Sequence, residues 1–296
     1  MLMNLCNVCP RKCNINRATS PGFCGVNDKL IIRKVMLHQY EEPILVNSED
    51  KGSGTIFFAG CNLKCVYCQN YDVSHTNNGK EISILELVEI FKKLERAGAG
   101  NIDLVSPTHY TNQIIEALKI YKPKIPVIWN TGGYESPETI NKLNGFVDIF
   151  LTDFKYANDD YSFKYSKAKD YVINAKNSLI TMKKYKNKNI FVNNKLVSGI
   201  IVRHMVLPTL VKDSINVLNI IAEILGTDAI ISLMSQYVPM GKAVEYNEIN
   251  RKITPLEYKT VVSYAKKLGF KNAFIQDLES SSSSYTPNFN SQIIDL

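Results

Sequence analysis

The stretch FAGCNLKCVYCQN, residues 58–70, carries Cys61, Cys65 and Cys68 in a C-x3-C-x2-C pattern. The residues between them are Asn, Leu, Lys, Val and Tyr, none of which is an ordinary metal ligand. Thiolates are soft donors that suit zinc or iron–sulfur clusters. A structural zinc site closes with four protein ligands, and this loop offers three. Three thiolates on a four-iron cluster leave one iron without a protein ligand, open to a substrate or cofactor. The missing fourth cysteine is therefore the informative part of the motif.

A second set, Cys6, Cys9, Cys13 and Cys24, is spaced C-x2-C-x3-C-x10-C. Four thiols can close a tetrahedral site, and zinc suits a small turn-rich segment that leans on a metal for stability. A second four-iron cluster is the alternative, and Pro10 directly after Cys9 resembles ferredoxin runs. Spacing alone leaves both open.

The elements that must position the three-cysteine loop alternate along the chain. TIFFAG (55–60) reads as a buried strand ending at the loop. Strands are also expected at 101–106, 125–130, 147–154, 199–207, 229–234 and 272–276. Helices are expected at 83–98, 111–121, from 136, at about 170–186, at 213–226 and at 254–270. Ser83 with Glu86 forms a capping box, Ser136 precedes Pro137 at a helix start, and Thr254, Pro255 and Glu257 open the last helix. Strands alternating with helices imply βαβ units and a parallel sheet. The expected fold class is thus α/β, a partial or full (β/α) barrel of six or seven units. Its site lies at the carboxyl ends of the strands, where the cysteine loop sits. Three parts are expected: a cysteine-rich metal-binding segment over 1–50, the barrel over 51–278, and a tail over 279–296 whose serine run is low in complexity and mobile.

The aromatic Tyr67 just before Cys68, in this strand-end context, resembles the signature of the radical S-adenosylmethionine (SAM) superfamily. The segments CPRKCNINR…GFCG, GSGTIFFAGCNLKCVYCQNYDVS, NIDLVSPTHY, NTGGYESPETI, VDIFLTDFKY and LMSQYVP together look like the branch related to pyruvate formate-lyase-activating enzymes. The likeness runs from about Cys6 to Gln276. It implies a radical SAM barrel with Cys61, Cys65 and Cys68 on a [4Fe–4S] cluster, whose open iron takes the amino and carboxylate groups of SAM. One-electron reduction of the sulfonium then yields a 5′-deoxyadenosyl radical that abstracts hydrogen from a substrate; the cofactor carries the hard chemistry and the protein holds and shields it.

The resemblance also assigns roles residue by residue. Tyr67 is expected over the adenine. Ser106, Thr108 and His109 stand where the superfamily often has a Gly-Gly-Glu motif, a departure at the methionine amino contact. Asn130 and Thr131 resemble an aspartate-threonine segment, and Asp153 and Lys155 match an aspartate-x-lysine motif at the fourth strand end. Arg203 and His204 are neighbours on one strand, so only one can face the interior, and Arg203 is the choice. Gln236 is expected on the adenosine side. Asp153, Lys155 and His109 are the candidate catalytic residues, while His38 and His75 carry no signal. Structural readings stand beside these: Asp153 with Lys155 as an ion pair, His109 as a satisfied buried histidine.

Composition bounds the rest. The chain has 296 residues and a net charge of +7, modest enough for a lysine-rich solvated surface. No run of eighteen apolar residues occurs, and the N-terminus lacks a signal-peptide pattern, so a cytoplasmic protein without a membrane partner is expected. No aromatic residues alternate with the basic region around Lys176–Lys195 as nucleic-acid stacking would need. The partners implied are SAM, an electron donor such as flavodoxin or ferredoxin, and a glycyl radical enzyme. Radical chemistry on a small molecule or peptide, a non-catalytic zinc module, and a two-cluster electron carrier remain alternatives.

Overall fold

The computed structural model describes residues 5–278, 287–289 and 291–296. In chain order the elements are β1 (Leu30–His38), β2 (Ser53–Phe58), α1 (Tyr71–Ser74), β3 (Lys80–Ile82), α2 (Ile84–Arg96), β4 (Ile102–Val105), α3 (Thr111–Ile120), β5 (Val127–Thr131), α4 (Pro137–Leu143) and β6 (Ile149–Asp153). They continue with α5 (Asp159–Ser166), α6 (Tyr171–Tyr185), β7 (Ile190–Val192), β8 (Lys195–Met205), α7 (Val211–Leu225), β9 (Ile230–Met234), α8 (Pro255–Leu268), β10 (Asn272–Ile275) and β11 (Ile294–Asp295). Strands β2, β4, β5, β6, β8, β9 and β10 lie side by side and parallel. β1 runs antiparallel to β2, with β3 and β11 on its far side. Among the described residues β10 does not pair with that far edge, so the barrel is partial and open.

Local sequence sets these boundaries. Ser83 and Glu86 form the expected capping box on α2, and Thr254 and Glu257 form another on α8. Ser136 accepts from Thr139 N with Pro137 in the first turn of α4. Strand β7 and the start of β8 form a hairpin over Asn193 and Asn194, both at positive φ, which is the turn chemistry Asn tolerates.

Side chains alternate across the strands and divide the core in two. Trp129, Phe150, Val202 and Ile231 face outward into the layer covered by the helices. Ile128, Leu151, Ile201 and Ile230 face the lumen, where they meet Leu45. Leu45 belongs to the short 3-10 turn Pro43–Leu45 in the β1–β2 connection. Because β1 runs against β2, this connection enters at the amino ends of the parallel strands. It plugs the barrel from below, and Asn101 fixes it by donating to Leu45 O at 2.8 Å.

The region assigned to a cysteine-rich segment over 1–50 therefore contributes a strand and a plug to the barrel from Leu30 onward. The serine run at 280–284 lies outside the described residues. The described part of the tail is tied down: the buried Lys34 Nζ reaches Ser291 Oγ at 2.6 Å, Gln292 O at 2.8 Å and Asp295 at 3.0 Å. A lysine buried on β1 needs such partners, and the tail supplies them. Among the described residues no helix is long and apolar enough to cross a membrane.

Candidate functional site

The cysteine loop leaves β2 at its carboxyl end. Leu63 N–H donates to Cys61 Sγ at 3.4 Å, Ser166 Oγ donates to Cys65 Sγ at 3.0 Å, and the Ser74 hydroxyl lies against the Cys68 sulfur. Each sulfur thus receives a donor, which favours the thiolate. Burial opposes this and pushes Cys68 up to about 12 and Cys61 upward as well, while Lys155 and Lys64 pull toward the charged form. A bound metal supplies the remaining compensation by displacing the proton.

A cavity of about 200 Å³ opens beside Cys65 and Cys68. Of the residues expected on the cofactor, it is lined by Tyr67, Asn130, Asp153, Lys155, Arg203 and Gln236. Asp153 ends β6 and Arg203 is its register partner on β8. Arg203 Nε donates to Asp153 Oδ1 at 3.0 Å and its Nη2 to Asn130 Oδ1 at 2.7 Å, while Lys155 Nζ donates to Asp153 Oδ2 at 2.5 Å. Burial works against the Asp153 charge, but Lys155 and Arg203 more than offset it and hold the carboxyl below its usual range. His204 faces the other way: its ring nitrogens bond Phe154 O and Ser214 Oγ, as expected for the partner of an inward Arg203.

Other expected contacts do not reach this cavity. Thr108 and Thr131 both donate from Oγ1 to Glu135. Ser106 has a positive φ of 56° where β4 ends, an uncommon conformation for a residue with a side chain, and is also off the lining. His109 is buried, with Nε2 against Ala59 O at 2.8 Å, and it lines a different depression beside Cys6 and Arg17. Burial lowers it to about 3, so it is neutral at ordinary pH. The structure therefore separates His109 from Asp153 and Lys155.

Several participants were not legible. Glu41 and Glu42, on the plug, line the floor of the cavity, as does His38. Burial raises both carboxyls, Glu41 well above the ordinary range, with Asp103 adding to the rise at Glu41. Tyr67 Oη meets Tyr156 Oη at 2.6 Å, and Tyr156 Oη meets Ser166 Oγ at 2.7 Å, so a chain of hydroxyls ends on Cys65. Tyr156 follows Lys155 just beyond the end of β6. Gln69, Gln236 and Gln276 link their amides at the rim.

The profile of the radical SAM superfamily matches residues 55–218. The chain belongs to the radical SAM superfamily. An uncharacterized protein of Methanocaldococcus jannaschii, MJ0674, is 33% identical over 272 residues, spanning 88% of this chain and 74% of that protein. The pyruvate formate-lyase 1-activating enzyme of Escherichia coli is 25% identical over 114 residues, 35% of this chain and 46% of the enzyme, so less than half of that relative is spanned. The structure of Streptococcus suis SuiB bound to S-adenosylmethionine matches with a TM-score of 0.50 at 14% identity, over 73% of this chain and 47% of that one; this likeness concerns the fold.

Membership implies a [4Fe–4S] cluster, SAM, and an enzyme of radical chemistry. The loop fits the cluster. Each of its three sulfurs takes a hydrogen bond, and Lys64 and Lys155 lie near enough to offset part of their charge.

Proposed function

We propose that this enzyme is of the activating type and acts on a glycyl residue of a partner protein. Cys61, Cys65 and Cys68 would hold the cluster. Bound there, and given an electron by a low-potential donor such as flavodoxin or ferredoxin, it would supply the reducing chemistry for cleavage of SAM and hydrogen abstraction from the substrate. Arg203, Lys155 and Asp153 present two cations and an anion to a zwitterionic methionine group. Asn130 holds Arg203 in place, Tyr67 lies against the adenosine, and the linked glutamines at Gln236 form the outer wall. Thr108, Thr131 and Ser106 act from behind the cavity as positioning residues, and His109 holds the Ala59 carbonyl at the base of the loop.

The observation that carries this reading is the placement of Cys65, Cys68 and the Asp153–Lys155–Arg203 set on one cavity at the strand ends. Such a site is built for a charged cofactor beside a soft metal centre. A second reading, a small polar substrate, draws on the half-buried Glu41 and Glu42 in the lining of the cavity.

The test is anaerobic incubation with SAM and dithionite, measuring 5′-deoxyadenosine. Release on reduction supports SAM cleavage, and its absence from iron-loaded protein rejects it. An electron-spin doublet on an added glycyl radical enzyme supports the protein substrate. Release of 5′-deoxyadenosine coupled to change in a small molecule, with no such doublet, supports the second reading.

A further inference from the structure

The four remaining cysteines sit in a segment that needs an organiser. Residues 5–29 contain no helix or strand, and all seven cysteines of the chain are free thiols. Yet Cys9 and Cys24 are buried. Cys24 packs into the main core, but Cys9 is buried outside the apolar clusters of the described residues, and a turn-rich segment does not order such a thiol by packing alone.

Its local geometry repeats that of the cluster loop. At Cys61 the sulfur takes the backbone N–H two residues on, from Leu63. Backbone groups two residues on also lie against the other two: the Arg11 amide at Cys9, and at Cys24 the Val26 carbonyl, which accepts from the thiol at 3.7 Å. Cys13 Sγ receives Phe23 N–H at 3.4 Å. Backbone N–H groups aimed at sulfur stabilise thiolates. Two tight turns shape the arrangement: Lys12 N bonds Cys9 O at 3.0 Å, with Lys12 at positive φ, and Gly25 N bonds Gly22 O at 2.9 Å. Gly22 lies between sulfurs, since a Cβ there would stand 3.5 Å from Cys24 Sγ and 3.6 Å from Cys13 Sγ. A side chain would fill the space the thiols face.

The segment is joined to the cluster loop through its last cysteine. Cys24 O accepts from Cys61 N at 3.2 Å and from Lys64 Nζ at 3.3 Å. Arg11 reaches across to Asn62 O at 2.9 Å and to the carbonyls of Ser166 and Lys167.

We infer that Cys6, Cys9, Cys13 and Cys24 hold a second iron–sulfur cluster, closed by four protein thiolates and docked on the loop of Cys61. The choice of iron over zinc follows from the likeness to the Cys61 loop: Cys13 Sγ takes a backbone N–H as Cys61 Sγ does, and Cys24 O is bonded to the Cys61 amide, so one unit carries both sets of soft donors. Being closed, this centre has no position for SAM. Its role for the neighbouring site is to fix the Cys24 carbonyl that anchors the Cys61 amide.

The test uses the full chain reconstituted anaerobically with iron and sulfide, in the wild type and in a Cys61→Ala/Cys65→Ala/Cys68→Ala variant. Wild type is expected to hold about eight irons and the triple variant about four, one cubane in each set of cysteines. Dithionite-reduced triple variant should give an electron-spin signal that SAM does not change, whereas wild type adds one that SAM does change. This readout is independent of SAM cleavage, so it stands or falls apart from the proposed function. A folded triple variant without iron overturns the inference, and so does stoichiometric zinc in place of the second cluster. A Cys9→Ser/Cys13→Ser variant checks the assignment from the other side: it should keep only the SAM-sensitive signal.

Discussion

Arg203 and Asp153 face one another as register partners on adjacent strands, and their side chains meet at 3.0 Å inside the barrel. Lys155 takes the second carboxylate oxygen. One anion thus serves two largely shielded cations, with Glu41 3.9 Å from Arg203. Removing one partner of a buried pair is strongly destabilising because it strands the other. Asp153→Asn is therefore expected to lower stability by about 3 kcal/mol and to weaken SAM binding. Anaerobic denaturant unfolding and equilibrium dialysis read the two effects. Adding Lys155→Met should recover part of the lost stability but not the binding; full stability in Asp153→Asn alone would show that the cations are balanced elsewhere.

Gly133 sits at φ +81°, and a Cβ there would run into the Asp153 carbonyl. Tyr171 Oη lies against the same carbonyl and against Gly132 O. Gly133→Ala must push the end of β6 away from β5. Expected results are a loss of about 2 kcal/mol from left-handed strain and overlap and a larger relative loss in SAM affinity than in cluster content. Equal affinity in the variant would place the Asp153 carbonyl outside the site's tolerance-limiting contacts.

Glu135 gives a pH signature. Burial raises it from an ordinary 4.5 to about 7, against the pull of the Thr108 and Thr131 hydroxyls. The folded state therefore binds the proton more tightly than the unfolded chain. That advantage is complete below about 4.5 and is lost as pH rises to about 7. Wild type should lose stability relative to Glu135→Gln across this window, by about 3 kcal/mol at most, and the difference should level off above it. Unfolding midpoints of both proteins at pH 5, 6 and 8 measure the trend; a constant difference would mean that Glu135 is ionised throughout.

Cys65 lies at the end of the hydroxyl chain from Tyr67 through Tyr156 and Ser166. Cys65→Ala should abolish 5′-deoxyadenosine formation while leaving the circular dichroism spectrum unchanged, because the loop sits on the rim. Tyr156→Phe removes only the relay oxygen. It should keep the iron and shift the potential of the SAM-sensitive centre, since hydrogen bonds to the ligating sulfurs tune such centres. An unaltered potential would make Tyr156 a packing residue.

The parts legible in the sequence were those fixed by local rules. The C-x3-C-x2-C loop, the caps at Ser83 and Thr254, and the inward choice of Arg203 over His204 each follow from a few adjacent residues. Asp153 and Lys155 were reached by resemblance, and the structure brings both to the cavity. What escaped depends on distant pairing. Glu41 and Glu42 sit in a connection without periodicity, and only the antiparallel course of β1 carries them beneath the strands. Ser166 is 101 residues from Cys65 and meets it from the last position of α5. His109 was placed by motif position alone, and the 3-10 turn Thr108–Tyr110 rotates it away from the lumen.

The Leu45 plug ties the acidic side of the cavity to the hydrocarbon base of the barrel, since Glu41 and Glu42 stand directly before the turn that carries it. Any loosening of that base is therefore transmitted upward as a displacement of carboxylate charge beside the Arg203 guanidinium.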